Sequence, residues 1–270
     1  MRGTSLASLA AAQERFTPVL AAAGKQADML GEQLFAVVDA LDSSGSLRRT
    51  LSDPALPGDA KAGVVAAVLA RSDERVVAAV SDLVRSRWTS QDDLGDAVEQ
   101  LGFDALLASA EAAGHLELVE DEIFRITRML VGQREVRSAL FDARGTRENR
   151  VALVDELLAG RVSDTTLQVA RRATAAPRGK RFVATLGHVA DLAADRRRRL
   201  VAAVTTGSEL SQAQMDRLGA VLQQAYGREL QLNVTVDPEI LGGLRIQVGA
   251  DVVDSTVLAR LADARRRLAS

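Results

Sequence analysis

The sequence predicts a mainly α chain that ends in a small α+β domain, and three observations predict it. Alanine, leucine, valine and arginine dominate while only 3% of the residues are aromatic, a mixture that favours helix and fills cores with small aliphatic side chains. Apolar residues recur at helical spacing from the amino terminus to about residue 199, and from Leu200 the pattern becomes that of strands. With 270 residues, 47% of them hydrophobic, the chain can bury sizeable cores.

The first 90 residues read as amphipathic helices over 5–23, 26–41, 60–70 and 74–88, with a short turn carrying Leu47 and Leu51 between the second and third. Breaks fall at Gly24, at Ser43-Ser44-Gly45 and in the loop Asp53-Pro54-Ala55-Leu56-Pro57-Gly58, all of which disfavour continued helix. Pro18 is compatible with two arrangements, the start of a new helix or a kink in the first.

A second helical series runs from about Asp92 to Arg199 and repeats the first with a shift of 89 positions. Phe35 falls on Phe124, Leu41 on Leu130, Arg48 on Arg137, Leu51 on Leu140, Asp53 on Asp142, Leu69 on Leu158 and Ala70 on Ala159. Leu34/Ile123, Leu47/Val136, Val65/Val154 and Val68/Leu157 are conservative matches between them. The expectation is a duplicated helical bundle, with residues 1–94 as the first copy and 95–195 as the second, and with the segment 92–113 closing one and opening the other.

Residues 196–270 form the last domain, in the order strand, helix, strand, strand, helix. Leu200 to Thr205 is a buried strand, and 230–236 alternates apolar with polar. Between them lies a helix over 211–225, opened by Ser211 and Gln214 at capping-box spacing. Leu244 to Val248 alternates again, Gly249-Ala250-Asp251 turns it into Val252-Val253, and Asp254 or Ser255 caps a final helix through Leu268.

The run Val236-Asp237-Pro238-Glu239-Ile240-Leu241-Gly242-Gly243-Leu244-Arg245-Ile246-Gln247-Val248-Gly249, followed by Val252-Val253-Asp254-Ser255-Thr256, resembles the signature of F-type ATP synthase delta subunits and their mitochondrial oligomycin-sensitivity-conferring relatives. The family has Gly then Ser where this chain has Ser255 then Thr256. Pro238 fixes a turn after a strand, while Gly242, Gly243 and Gly249 permit backbone that a side chain would forbid, so Asp237, Pro238, Gly242, Gly243, Gly249, Asp254 and Ser255 are a folding signature. The resemblance spans about 95–270, and residues 1–94 then resemble an extra copy of the amino-terminal bundle, as in the long delta subunits of high-GC Gram-positive bacteria.

Several chemistries find no support. Cysteine is absent and the two histidines, His115 and His188, are far apart, so no metal ligand set or thiol nucleophile is expected. Gly179-Lys180 is preceded at the first P-loop glycine position by Thr174, and Gly207-Ser208 lacks the second glycine of a nucleophile elbow. No catalytic residue and no cofactor are expected. No apolar run approaches 18 residues and no leader pattern precedes the first helix, which predicts a soluble chain recruited to a membrane only through partners.

Two charge features are candidate partner contacts. Between Arg87 and Arg125 there is no basic residue, while Asp92, Asp93, Asp96, Glu99, Asp104, Glu111, Glu117, Glu120, Asp121 and Glu122 supply ten acids; these form a solvated face or a surface that steers a basic helix. Arg196 to Arg199 and Arg265, Arg266 and Arg267 are basic runs, but residues 196–270 carry a net charge of only +3 and the chain −2, which suits helix ends or an acidic partner better than nucleic acid.

The resemblance implies a non-catalytic stator subunit. Its helical bundle would hold the amino-terminal helix of an alpha subunit, and its carboxy-terminal domain the end of the b-subunit stalk. It would lie at the cytoplasmic face of the bacterial membrane and bind neither nucleotide nor nucleic acid. The rival expectation is a helical adaptor or regulatory protein using Arg196 to Arg199 on nucleic acid.

Overall fold

The computed structural model describes residues 1–133, 146–198, 201–226, 230–238, 240, 242–249 and 251–257. Arg137, Leu140, Asp142 and Val136 of the repeat, Arg199, the Arg265–Arg267 run and the final helix through Leu268 lie outside them. The chain divides into two compact units, 1–193 and 194–270.

In the first unit the helices are α1 (Thr4–Ala23), α2 (Ala27–Ser43), α3 (Gly45–Ser52), α4 (Gly58–Val68), α5 (Glu74–Arg85), α6 (Gln91–Ala112), α7 (Leu116–Met129), α8 (Arg147–Leu158) and α9 (Asp164–Ala175). α10 (Phe182–Arg198) crosses the division. Their starts follow the capping rules: the side chains of Ser44, Asp73, Ser90, Thr146 and Ser163 each accept a hydrogen bond from a backbone N–H of the first turn of α3, α5, α6, α8 and α9. Gly24 ends α1 at φ +56. Pro18 sits inside an unbroken α1, and there Thr17 Oγ1 donates to the Gln13 carbonyl at 2.7 Å.

The core of the first half is built on α2 and α6. Leu30, Leu34, Val38 and Leu41 of α2 lie at helical spacing and are almost wholly buried, packed with Leu94, Val98 and Leu101 of α6 and with α1 and α5. The two helices cross closely because glycines face each other: a Cβ on Gly31 would stand 2.9 Å from the Gly102 carbonyl oxygen, and one on Gly102 would stand 2.5 Å from the Phe35 ring. Sixteen of the 22 residues of α6 are buried, so most of its circumference is covered.

The helices recur at a fixed offset. Moved by 89 positions, α1 overlies α6, α2 overlies α7 and α4 overlies α8. After Gly160 adds one residue the shift becomes 90, and α5 falls on α9, Glu74–Arg85 on Asp164–Ala175. One bond recurs as well. Gln33 Oε1 of α2 accepts from the Asp73 N–H that opens α5 at 2.8 Å, and Glu122 of α7 accepts from the Ser163 N–H that opens α9 at 3.0 Å. α6 belongs to both series, and the expected division at 94/95 lies inside it.

The second unit holds β1 (Val201–Thr206), α11 (Gln212–Tyr226), β2 (Gln231–Val236), β3 (Leu244–Val248) and β4 (Asp251–Asp254), with strand order β2-β1-β3-β4. β1 pairs parallel with β2, Val201 opposite Gln231, and antiparallel with β3, Val204 opposite Ile246; β4 returns antiparallel on β3. The Val252-Val253 stretch is thus a fourth strand of the sheet. Ser211 and Gln214 form the capping box, with Ser211 N–H donating to Gln214 Oε1 at 2.8 Å and Gln214 N–H to Ser211 Oγ at 3.4 Å. Leu222 of α11 packs on Ala202, Val204 and Val248 of the sheet, beside Leu230 at the entry to β2.

Candidate functional site

The signature residues shape one junction of the second unit. The Asp237 N–H donates to the Thr206 carbonyl at 2.8 Å, tying the end of β2 to the end of β1. Gly242 and Gly243 have φ near +89 and +88, and a Cβ on Gly243 would lie 2.5 Å from the Ser255 carbonyl oxygen. Ser255 closes the same corner: its N–H and hydroxyl both donate to the Leu244 carbonyl, at 2.9 and 2.8 Å. Gly249 turns β3 into β4 at φ +60. Asp254 Oδ1 accepts from the Thr256 N–H and hydroxyl at 3.0 and 2.7 Å, bonds that hold its carboxyl below the ordinary range. Asp254 thus fixes the turn at Thr256, while the final helix that it or Ser255 is expected to cap lies outside the described residues. Pro238 stands in the turn after β2.

The acidic stretch is divided: Asp93, Glu99 and Glu122 are buried, Asp92, Glu117 and Asp121 are exposed, and the other four lie between. Asp92 is exposed in the first turn of α6, but Asp93 is buried, accepting from Ser5 Oγ at 2.7 Å with the Met1 amino group 3.8 Å away. Asp96 and Glu99 are bound by cations of the second half: Arg178 Nη1 lies 3.0 Å from Asp96, and Arg172 Nη2 lies 3.1 Å from Glu99. Asp104 accepts from Gln13 at 2.7 Å and Asp121 pairs with Arg125 one turn on. Glu122 takes the Ser163 N–H, the Ser163 hydroxyl at 2.7 Å and the Thr166 hydroxyl at 2.6 Å. For Asp96 and Glu99 the expected solvated face gives way to ion pairs because Arg172 and Arg178 stand more than 70 positions away. Local charge counts do not register such partners.

Arg196, Arg197 and Arg198 occupy the last turn of α10, where cations complement the helix dipole, and Arg198 pairs with Asp195. Arg265 and Arg266 lie outside the described residues. Among the described residues no three His, Cys, Asp or Glu side chains are grouped to hold a metal ion, and no helix is long and apolar enough to cross a membrane. Lys180, the lysine of the rejected P-loop, bonds Glu99 at 3.1 Å.

Among the described residues of the first unit lie two grooves that could receive another molecule. One, about 620 Å³, lies among α2, α8 and α9 and is lined by charged side chains including Glu32, Asp39, Arg147 and Arg171. Burial pushes the Asp39 carboxyl up, but hydrogen bonds and charge from Arg172 and then Arg147 outweigh it and hold it below the ordinary range. The other, about 370 Å³, runs between α1 and α5. Its floor is apolar, with Ala12, Phe16, Val19, Ala78, Ala79 and Leu101, and its rim carries Glu74, Arg75 and the Arg15–Asp82 ion pair at 3.0 Å.

Under the internal repeat, the α1/α5 groove has a counterpart between α6 and α9, and that counterpart is filled. Ala12, Phe16 and Val19 correspond to Leu101, Ala105 and Ala108, and Ala79 to Val169. The floor is buried in both places, with Ala12 and Phe16 only 3% and 4% exposed, and the two differ at Val19 and Ala78, which are half-buried and exposed in the α1/α5 groove. The rim is occupied too, since Gln168, the counterpart of Ala78, donates to Glu32 of α2, and Arg172, the counterpart of Asp82, binds Asp39 of α2. One groove of the pair remains open.

The sequence pattern of the ATP synthase delta (OSCP) subunit matches residues 104–268. The ATP synthase subunit delta of Beutenbergia cavernae is 55% identical over 270 residues, covering all of both chains. The subunits of the same name from Kineococcus radiotolerans and Streptomyces avermitilis are 44% and 43% identical, each covering 99% of this chain and 97% or more of their own. Full-length identity of this order, with the signature junction formed as described, means that the chain belongs to the ATP synthase delta (OSCP) subunit family and is a non-catalytic stator subunit of an ATP synthase.

Proposed function

We propose that this subunit ties the alpha/beta head of a proton-translocating F-type ATP synthase to the b-subunit stalk and resists the torque of the rotor. In this reading the α1/α5 groove receives the amphipathic amino-terminal helix of an alpha subunit, and the second unit engages the carboxy-terminal end of b. The complex then sits peripherally at the cytoplasmic face of the cell membrane, and Asp92 and the Arg265-Arg266 pair are left as rim contacts to partner helices.

The open groove is the observation that carries the reading. An apolar floor between two helices, edged by charges of both signs, is what helix-in-groove recognition requires. Its counterpart in the same chain is filled by packed helices, so the geometry suits a helix as occupant. A peptide of the alpha amino terminus titrated into the full chain tests it. Ala78→Arg, which puts a long cation across the open floor, should weaken binding by about tenfold or more and leave the melting temperature unchanged. Gln168→Arg, at the filled counterpart, should leave the affinity as it was. Equal affinity in all three proteins excludes the α1/α5 groove as the site.

A further inference from the structure

The first unit contains a buried ion cluster that the stator role does not by itself call for. Arg172, at the inner face of α9, is 5% exposed and reaches Glu99 of α6 (4% exposed) at 3.1 Å and Asp39 of α2 at 2.6 Å. Its guanidinium also lies over the Phe35 ring, 4.8 Å from the centroid. Arg178, in the loop after α9 and 10% exposed, binds Asp42 of α2 at 2.9 Å and Asp96 of α6 at 3.0 Å. Lys180 completes the set on Asp96 and Glu99. Every cation comes from the second helical series. The acids come from α2 and from α6.

Three features mark the cluster as a built joint. Arg178 holds a left-handed backbone, φ +46, the one non-glycine among the described residues to do so, and strain of that kind persists only where surrounding contacts fix it. Gly95, inside α6, leaves the space its guanidinium fills: a Cβ there would stand 2.6 Å from Arg178 Nη2. The cluster also breaks the repeat, since the counterparts of Arg172 and Arg178 are Asp82 and Trp88, and those of Asp39 and Asp42 are Arg128 and Val131. These residues therefore do not perform the internal packing common to both series. They fasten one series to the other.

We propose that the Arg172–Arg178 cluster is an ionic latch that locks α7–α9 onto α2 and α6, so that the two helical series move as one rigid body with no hinge beside the shared helix. Apolar helix faces tolerate small slides, whereas buried charges that lose their partners cannot relax in place. The latch sets a single register. Taken with the proposed function, and resting on it for this clause alone, a pull on the α1/α5 groove is carried into the second series without slack.

The chain has no cysteine, so spin labels can be placed at will on the full-length protein. Ala67→Cys on α4 and Glu156→Cys on α8, both exposed counterparts in the repeat, report the separation of the two series. The latched protein should give one narrow distance distribution. Arg172→Met with Arg178→Met should broaden or shift it while helix content by circular dichroism is kept. Should that double variant fail to fold, Arg178→Gln alone is read by the same labels and by hydrogen exchange, which should rise in α7–α9 before it rises in α1–α5. A broad distribution in the parent protein overturns the latch, as does an unchanged narrow one in the variant that folds. Failure of the alpha peptide to bind would strike at the proposed function and leave the distance result standing.

Discussion

Truncating Glu122 to Ala is the sharpest test of how the second helical series is held together. The carboxylate is buried and accepts from three donors that open α9: the Ser163 N–H at 3.0 Å, the Ser163 hydroxyl at 2.7 Å and the Thr166 hydroxyl at 2.6 Å. Hydrogen bonds to a charged group contribute about 1.5–3 kcal/mol each. The bonds share one acceptor group, and water can enter beside a helix start, so the sum is reduced to about 3 kcal/mol. For a unit of 193 residues each kcal/mol corresponds to roughly 2–4 °C of melting temperature, so a fall of about 6–12 °C is expected. Gln33→Ala, at the counterpart, removes one neutral bond to the Asp73 N–H at 2.8 Å and should cost about 1 kcal/mol. Glu122→Gln keeps one acceptor and should fall between the two. Calorimetric melting of the full chain measures all three. A Glu122→Ala protein within about 0.5 kcal/mol of its parent, the ordinary range of surface changes, would refute the idea that this carboxylate docks α9.

Three other outcomes follow from the same geometry. Gly102→Ala sets a methyl against the Phe35 ring; overpacking of about 1–3 kcal/mol outweighs a helix gain of at most about 1, and Phe35→Leu in the same protein should recover stability in a double-mutant cycle by urea unfolding. Gly243→Ala meets both a φ of +88 and the Ser255 carbonyl and should destabilise the second unit by on the order of 3 kcal/mol, seen as faster hydrogen exchange in β3 and β4 with α1–α9 unaffected. His188 is driven below its ordinary 6.5 by burial and then by Lys180, against Asp104, Asp191 and Glu99, so the unfolded chain takes up the proton first as pH falls. Stability is full above about 6.5 and declines below it until the folded ring itself protonates. His188→Gln should flatten that part of a melting temperature profile, and an identical slope in both proteins would exclude the ring as its source.

Helices and strands were legible because the signals are local. The breaks at Gly24, Ser44 and the Pro54 to Pro57 loop, the capping box at Ser211 and Gln214, and the shift to strand alternation at Leu200 all act within a turn or two of chain. The 89-residue offset was legible in Leu69/Leu158 and Ala70/Ala159, and the added Gly160 explains why residue matches fade after it while the helices stay in step. The tertiary fate of charge was not legible. Asp96 and Glu99 sit at helical spacing among other acids, and nothing near them in the chain announces Arg172 or Arg178. The open groove was hidden for the same reason, since nothing local to Val19 and Ala78 tells that the side of α1 and α5 they line is left uncovered.

The burial of α6 connects these observations. A helix that closes one series and opens the next is covered on both sides, so a polar residue on its covered faces loses water and must find a partner within the protein. Asp93 finds Ser5 and the chain terminus, Gln100 finds His188 at 2.6 Å, Ser109 donates to the Lys25 carbonyl at 2.6 Å, and Asp96 and Glu99 find the cations of the latch. Sharing one helix between two series therefore has two consequences at once. It fills the groove that the second series would otherwise offer, because the face of α6 that would line it is already packed, and it leaves the α1/α5 groove, on a helix used only once, as the one of the pair still open.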